Sequence, residues 1–369
     1  MSAKIAKVSK DNLNETDMIS ILEGAEILKA GGTVIFPTET VYGLGANALS
    51  SDAAQKIYAA KGRPSDNPLI VHIASKDMLY EIADEIDDIA KLLIDKFWPG
   101  PITFIFKKKD IVPKTTTGGL ETVAVRMPDH EAALKLIEVS GVPIAGPSAN
   151  ISGRPSITSS KYALEEMSER VDMIILSDDC EIGIESTVVD LTAKIPLVLR
   201  PGKISQREIL EVASDGDSSK LLEMNNILKS ILEKNKATTE DVVENSKRAP
   251  KSPGMKYRHY SPKAKVLIGQ DSNEINNLIL QHQDKNLDNG QKAYLDSEIK
   301  VFCLEENCKL YGDFAFSLGK TSSDLAKNIF TSLRLMDDMG VKLIVCECFS
   351  FDELSCAVMN RLIKASANI

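Results

Sequence analysis

The spacing of apolar residues changes character along this chain. The runs Thr33-Val-Ile-Phe36, Leu69-Ile-Val-His-Ile73 and Ile102-Thr-Phe-Ile-Phe106 are strand-length and are punctuated by Gly and Pro. In Glu121-Thr-Val-Ala-Val-Arg-Met-Pro128 the period is two, so Val123, Val125 and Met127 share one face and Thr122, Ala124 and Arg126 the other. The same parity sets His72 opposite Leu69, Val71 and Ile73. Between these runs, Ser51 precedes an early acid, a terminal Lys61 and a stop at Gly62, which predicts a helix over about 52–61. Through residue 205 the pattern predicts one mixed α/β domain.

From Ile204 to about Ala237 the spacing turns helical and amphipathic. Thr238 to Pro253 is polar and has no apolar period, which predicts a linker. It leads into Gly254-Met-Lys-Tyr-Arg-His-Tyr-Ser-Pro262, too aromatic and basic for a mere spacer, so this segment is expected to dock. Beyond it, Ala264–Gly269, Ile299–Leu304 and Val341–Cys348 read as strands. Helical stretches fall around 273–283, 322–338 and 353–366. This alternation predicts a small parallel-sheet, Rossmann-like domain over 263–369, after a first domain at 1–205 and a linker region at 206–262. No Gly-x-Gly-x-x-Gly follows its first strand, so a dinucleotide site has little support.

Composition narrows the function. With 369 residues, 43% hydrophobic and 26% charged, the chain can bury two cores and has the balance of a soluble globular protein. Met1 to Asp17 lacks the apolar core of a signal peptide, and no run approaches the roughly 20 residues that cross a bilayer. A cytosolic protein is expected. A net charge of -9 argues against a broad basic footprint for nucleic acid. None of the six cysteines forms a Cys-x-x-Cys pair, so no structural zinc is expected, and Cys346 and Cys348 read as buried thiols on one strand face.

Several clusters carry polar chemistry. Phe36-Pro-Thr-Glu-Thr-Val-Tyr-Gly-Leu-Gly-Ala-Asn47 places hydroxyls and an acid on a strand that breaks at Pro37 and passes through a glycine turn. Lys61-Gly-Arg-Pro-Ser-Asp-Asn-Pro68 sets two cations at a helix end, where they either complement the helix dipole or meet a polyphosphate. Arg126 is either a solvated surface charge or a fork for an α-carboxylate. In Pro143-Ile-Ala-Gly-Pro-Ser-Ala-Asn-Ile-Ser-Gly-Arg-Pro-Ser156, short polar groups beside glycines either make a turn or let backbone approach phosphate. Glu185-Ser-Thr-Val-Val-Asp190 and Leu199-Arg-Pro-Gly202 add Ser186 and Arg200. There is no Gly-x-x-x-x-Gly-Lys-Ser/Thr loop and no Gly-x-Ser-x-Gly elbow, so any triphosphate is held by scattered loops.

Five ordered motifs together resemble the YrdC family: Pro-Thr-Glu-Thr-Val-Tyr-Gly-Leu at 37–44, Lys-Gly-Arg-Pro with Asn-Pro at 61–68, Trp-Pro-Gly-Pro-Ile-Thr at 98–103, Val-Arg-Met-Pro at 125–128 and Pro-Ser-Ala-Asn-x-Ser-Gly at 147–153. The segment Ser252–Pro262 and the tail Met359-Asn-Arg-Leu-Ile-Lys-Ala365 resemble its long, two-domain form. Asp352-Glu-Leu-Ser-Cys356 departs from the Gly-Leu-Gly-like turn usual there. The resemblance implies a YrdC-like domain with a concave active site that joins L-threonine, bicarbonate and ATP into threonylcarbamoyl-adenylate and pyrophosphate, with magnesium. The product would pass to a separate ligase that modifies tRNA next to its anticodon.

Carried over by position, Thr38, His72, Arg126, the Gly146 backbone and Ser186 would hold threonine. Arg63, Asn67, Thr122, Ser148, Ser156 and Arg200 would hold ATP, with Lys61 and Asn150 facing the phosphates and Tyr260 reaching in from the linker. Lys61 and Arg63 would neutralise charge while Ser148 and Asn150 orient the nucleotide. No protein metal ligand is expected. Rival readings are carbamoyl-adenylate synthesis, whose known carriers have zinc-finger cysteine pairs absent here, and a double-stranded RNA-binding module, which the acidic balance disfavours.

Overall fold

The computed structural model describes residues 2–235, 259–283 and 294–366. The polar linker and most of the aromatic segment expected to dock, through Arg258, lie outside the described residues. The first domain is built on a sheet of eleven strands. These are β1 (Lys4–Lys7), β2 (Val34–Phe36), β3 (Gly43–Asn47), β4 (Ile70–His72), β5 (Ala83–Asp84), β6 (Ile102–Lys108), β7 (Thr122–Arg126), β8 (Ile144–Ala145), β9 (Met173–Leu176), β10 (Thr187–Asp190) and β11 (Leu197–Arg200). Their order is β1-β9-β2-β3-β8-β4-β7-β6-β10-β11, with β5 paired to β6. Helices α1 (Glu15–Lys29), α2 (Ser51–Lys61), α3 (Lys76–Ile82), α4 (Asp88–Phe97), α5 (Glu131–Ser140) and α6 (Ser160–Met167) flank it.

Strand parity sorts the core as the sequence pattern requires. Val34 and Phe36 pack with α1 and α5 on one face, whereas Ile35 turns to the larger core on the other. Met173 and Ile175 divide from Ile174 and Leu176 in the same way. Ser50 caps α2 by accepting from Ala53 N, and Gly62 ends it in the left-handed region at φ 60°. The predicted helix therefore stands, one residue longer at its start.

The amphipathic stretch after 204 is two helices, α7 (Gln206–Ala213) and α8 (Ser218–Asn235). Asp215 and Gly216 break them with φ of 53° and 77°. Ile209, Leu210, Ala213 and Met224 pack into the first core.

The second domain is a parallel sheet of four strands, β12 (Lys265–Gly269), β13 (Ile299–Cys303), β14 (Ala315–Ser317) and β15 (Leu343–Glu347), in the order β12-β15-β13-β14. The helix Ser272–His282 covers one face, and the helices Ser322–Asp338 and Glu353–Ser366 cover the other. Its Rossmann-like alternation matches the expectation, with β14 added. β15 ends at Glu347, so Cys348 lies past the strand and only half-buried, while Cys346 is buried. Among the described residues no helix is long and apolar enough to cross a membrane.

The two domains share apolar packing. Val41 and Ile184 of the first domain and Tyr260 join the core around Leu325, Ile329 and Phe330. At Gly183, in the left-handed region with φ 80°, an added Cβ would sit 2.4 Å from the Ala326 carbonyl oxygen, so the two backbones touch there without side chains between them.

Candidate active site

The concave face of the large sheet holds a cavity lined by Thr38, Val41, Gly43, Arg63, Ile70, His72, Arg126, Gly146, Pro147, Ser148, Asn150, Ser156, Glu185, Ser186, Arg200, His259 and Tyr260. Adjacent strand ends deliver the first group. β4 and β7 run parallel in a register that places His72 beside Arg126, and β4 pairs with β8 so that Ile144 flanks His72 on the other side. Gly146 follows β8, and an added Cβ there would lie 2.9 Å from His72 Nδ1 and 3.1 Å from the Phe36 ring. Only glycine lets that backbone come so close.

Arg126 is 3% exposed and pre-placed. Its Nε donates to Gly100 O at 3.3 Å, its Nη1 to Thr40 Oγ1 at 2.8 Å, and its Nη2 lies 2.6 Å from Glu39 Oε2. The contact with Glu39 is an ion pair and not an aligned hydrogen bond, since both atoms lack a hydrogen-bond partner of good geometry. Thr40 is held in turn by Thr38, whose hydroxyl is 2.9 Å from Thr40 Oγ1 and donates to Val41 O at 2.7 Å. The Pro-Thr-Glu-Thr motif is thus a brace for one guanidinium.

His72 is buried against the edge of Phe36, and its Nδ1 has no partner. Burial first, and the nearby Arg126 second, push its pKa down to about 3, so the ring is neutral at pH 7.

The second group is cationic. Arg63 donates to Asn67 O at 3.4 Å and Pro68 O at 3.1 Å, and burial lowers its pKa to about 10. Arg200 donates to Ser186 O from Nε at 3.1 Å and Nη2 at 2.9 Å, and to Ser186 Oγ at 3.1 Å. Ser186 Oγ lies 2.8 Å from Thr103 Oγ1. Ser148 donates to Asn150 Oδ1 at 2.6 Å, and the Asn150 amide donates to Ile151 O and Arg154 O, which fixes the loop after β8.

Lys61 does not line the cavity. It is 1% exposed and its ammonium donates to the Ser148 and Asn150 carbonyls, supporting the loop from behind. Burial, then Arg63, lower its pKa well below the ordinary value. Asn67 is also absent from the lining; its backbone carbonyl accepts from Arg63 and from Tyr58, while its buried side-chain Oδ1 has no partner. Thr122 stands at the opposite end of β7 from Arg126, outside the cavity lining. The remaining residues expected from the family resemblance, from Thr38 to Tyr260, face one another across the cavity.

Sequence reasoning left out Glu39, Thr40, Glu185 and Arg361. Among the described residues Glu185 is the one carboxylate in the lining, and it accepts from Ser156 Oγ at 2.6 Å and from Arg361 Nε at 3.1 Å. Burial raises its pKa, but Arg361 and then Arg200 outweigh this, so the net shift is downward. Arg361 comes from the last helix of the second domain and is 1% exposed. The only sequence signal for Glu39 and Thr40 was their place inside a motif. Glu185 stood beside Ser186 in a quoted cluster, and Arg361 within the family-like tail, with no signal that the two would meet.

His259 and Tyr260 enter between the domains. Tyr260 stacks on Phe330 at 5.1 Å, and Ser261 N donates to Gly153 O at 2.8 Å, anchoring this segment to the loop after β8. Burial lowers the His259 pKa to about 3 and raises that of Tyr260 to about 12. No group of three His, Cys, Asp or Glu side chains among the described residues could hold a metal.

Residues 26–202 match the Sua5–YciO–YrdC family, described as "Telomere recombination", and residues 204–367 match the threonylcarbamoyl-AMP synthase C-terminal domain. The threonylcarbamoyl-AMP synthase of Pyrococcus abyssi is 43% identical over 347 residues, 93% of this chain and 92% of that protein. That of Bacillus subtilis is 40% identical over 361 residues, 96% and 95% of the two chains. The crystal structure of P. abyssi Sua5 complexed with L-threonine has a TM-score of 0.80 and 41% identity to this chain, covering 98% of this chain and 97% of that one. Likeness over both domains, at this identity and nearly full length, places the chain in the threonylcarbamoyl-AMP synthase family.

Proposed function

We propose that the chain joins L-threonine, bicarbonate-derived CO2 and ATP into L-threonylcarbamoyl-AMP, the first step in threonylcarbamoyladenosine modification of tRNA. The observation that carries this reading is Arg126, a braced guanidinium on the wall of a cavity that also presents Arg63 and Arg200. The amino-acid carboxylate pairs with Arg126 through a two-pronged fork. The threonine amine bonds to CO2 and loses a proton, giving a carbamate. One carbamate oxygen then attacks the α-phosphorus in line, the bond from that phosphorus to the bridging oxygen breaks, and pyrophosphate leaves with the electron pair.

Little covalent work falls to the protein. Arg63 and Arg200 balance charge on the phosphates, and their donors are already fixed on backbone carbonyls, so the site reorganises little as charge develops. His72, neutral and with a free Nδ1, accepts a hydrogen bond from the substrate amine. His259 and Tyr260, buried in the cavity lining, help keep water from the labile carbamate. Glu185 is committed to Arg361 and Ser156, so a magnesium ion would be held by the phosphates of ATP and would supply charge neutralisation there. The product passes to a separate tRNA-modifying ligase in the cytosol.

The test is mass spectrometry of products formed with ATP, threonine and isotopically labelled bicarbonate. Label in an adenylate of threonine, with pyrophosphate release that needs both co-substrates, is the expected result. Equal pyrophosphate release without threonine would sink the proposal.

A further inference from the structure

The second domain contains a crevice of about 250 Å³ at the carboxyl ends of β12, β13 and β15. Its position follows from topology. β12 leads into the helix Ser272–His282, whose Ile275 and Ile279 pack with Leu343 and Val345 on one face of the sheet. β15, its hydrogen-bonded neighbour, leads into the helix Glu353–Ser366, whose Val358 and Leu362 pack with Ile344 and Cys346 on the other face. Two adjacent parallel strands whose connections leave to opposite faces part at their carboxyl ends, and open α/β sheets bind ligands there. Gly269 closes the approach of helix to strand, since a Cβ on it would lie 2.4 Å from Ile275 Cγ1.

The lining has its own chemistry. Among the described residues it includes Glu347, Asp271, Gln270 and Asn307 but no lysine or arginine, which makes it a poor seat for phosphate. Asp271 is occupied in capping the helix, accepting from Glu274 N at 2.9 Å. Glu347 is 8% exposed and rigidly aimed, for Oε2 accepts from Leu304 N and Oε1 from the Tyr311 hydroxyl, each at 2.9 Å. Each of its oxygens keeps a further lone-pair site, so the pair suits two neighbouring hydroxyl donors. At the rim, Leu310 and Phe351 are 57% and 55% exposed, offering an apolar surface to a flat ring.

We infer that this crevice binds a nucleoside without phosphates, its ribose diol on Glu347 and its base against Phe351. This site is separate from the catalytic cavity, with which it shares no lining residue.

The experiment uses the full chain saturated with a non-hydrolysable ATP analogue, so that the catalytic cavity is filled, and titrates adenosine by calorimetry and ligand-observed NMR. The expected result is one further site with a Kd below about 1 mM. 2′-Deoxyadenosine and the Glu347→Gln variant should each weaken binding by about tenfold or more, since a hydrogen bond to a charged group is lost. Phe351→Ala changes an exposed ring that the fold does not need and should weaken binding by about three- to tenfold. Pyrophosphate release should stay at the parent level in both variants. Absence of adenosine binding to the saturated parent chain, or equal binding by parent and Phe351→Ala together with equal affinity for 2′-deoxyadenosine, would overturn the inference.

Discussion

The catalytic cavity and the second-domain crevice are opposites in charge and closure. Among the described residues the cavity is lined by three arginines and a single acid, itself paired, and has about 50 Å³ of free space. The crevice has, among the described residues, two acids and no cation, with an exposed apolar rim and about 250 Å³. What separates them is how charge is supported. Each cavity arginine spends donors on backbone carbonyls, of Gly100, of Asn67 and Pro68, or of Ser186, so the loops were built around the cations. A site for polyanionic chemistry needs that scaffold before substrate arrives, whereas a site for hydroxyl donors needs one well-aimed carboxylate.

The sharpest way to break this comparison is to remove the support. Arg361→Ala leaves Glu185 buried beside Arg200 without its main partner and should cost about 3–5 kcal/mol of stability, read by urea unfolding. A loss under about 1 kcal/mol would mean that the pair is replaceable by Arg200 alone.

Next in size, Arg126→Lys keeps the charge but loses the fork and its reach to Gly100 O and Thr40, so KM for threonine should rise by about a hundredfold while ATP affinity changes little. Isothermal titration of each ligand decides it, and a larger loss for ATP than for threonine would reverse the assignment.

Acid sharpens the contrast because, among the described residues, two histidines line the cavity and none lines the crevice. His72 and His259 have folded pKa values depressed to about 3, against about 6.5 in an unfolded chain. Between those values the unfolded chain binds protons that the folded one does not, so stability falls as pH falls from 6.5. Each histidine should account for about 2 kcal/mol between pH 6.5 and 5, and His72→Asn should flatten the slope by up to one proton. Urea unfolding across that window measures it, and an unchanged slope would contradict a neutral buried ring.

The smallest effect is expected at Thr122. As it stands outside the lining, Thr122→Val should change ATP affinity by less than about threefold, about 0.65 kcal/mol. A tenfold loss would show that the nucleotide reaches much farther along β7.

Strand faces were legible in the sequence where parity is strict. Arg126 and His72 both face the cavity because alternation on β7 and β4 opposes them to Val125 and Val71. The helix at 51–61 was legible from its serine start and glycine stop, although Ser50 and not Ser51 caps it, whereas the break at Ser214–Asp217 was lost because apolar spacing continues on both sides of it. β3 was also hidden. Gly43 and Gly45 look like turn residues, yet they are strand positions where the Phe36 ring lies too close for any side chain. Lys61 shows the limit of reading charge as function, for a lysine in a phosphate-like motif can equally hold two carbonyls of the neighbouring loop. Glu185 and Arg361 meet across 176 residues, and no local pattern encodes such a meeting.

That meeting has a consequence for how such a chain can be inherited and recombined. The second domain is no interchangeable cassette, because a grafted replacement without an arginine at 361 would leave a bare acid on the wall of someone else's cavity. Either position mutated alone is harmful, while a joint change of Glu185 and Arg361 to uncharged residues of similar bulk can be nearly neutral for folding. Through this pair, and the apolar packing beside it, the two domains are bound to a common evolutionary history.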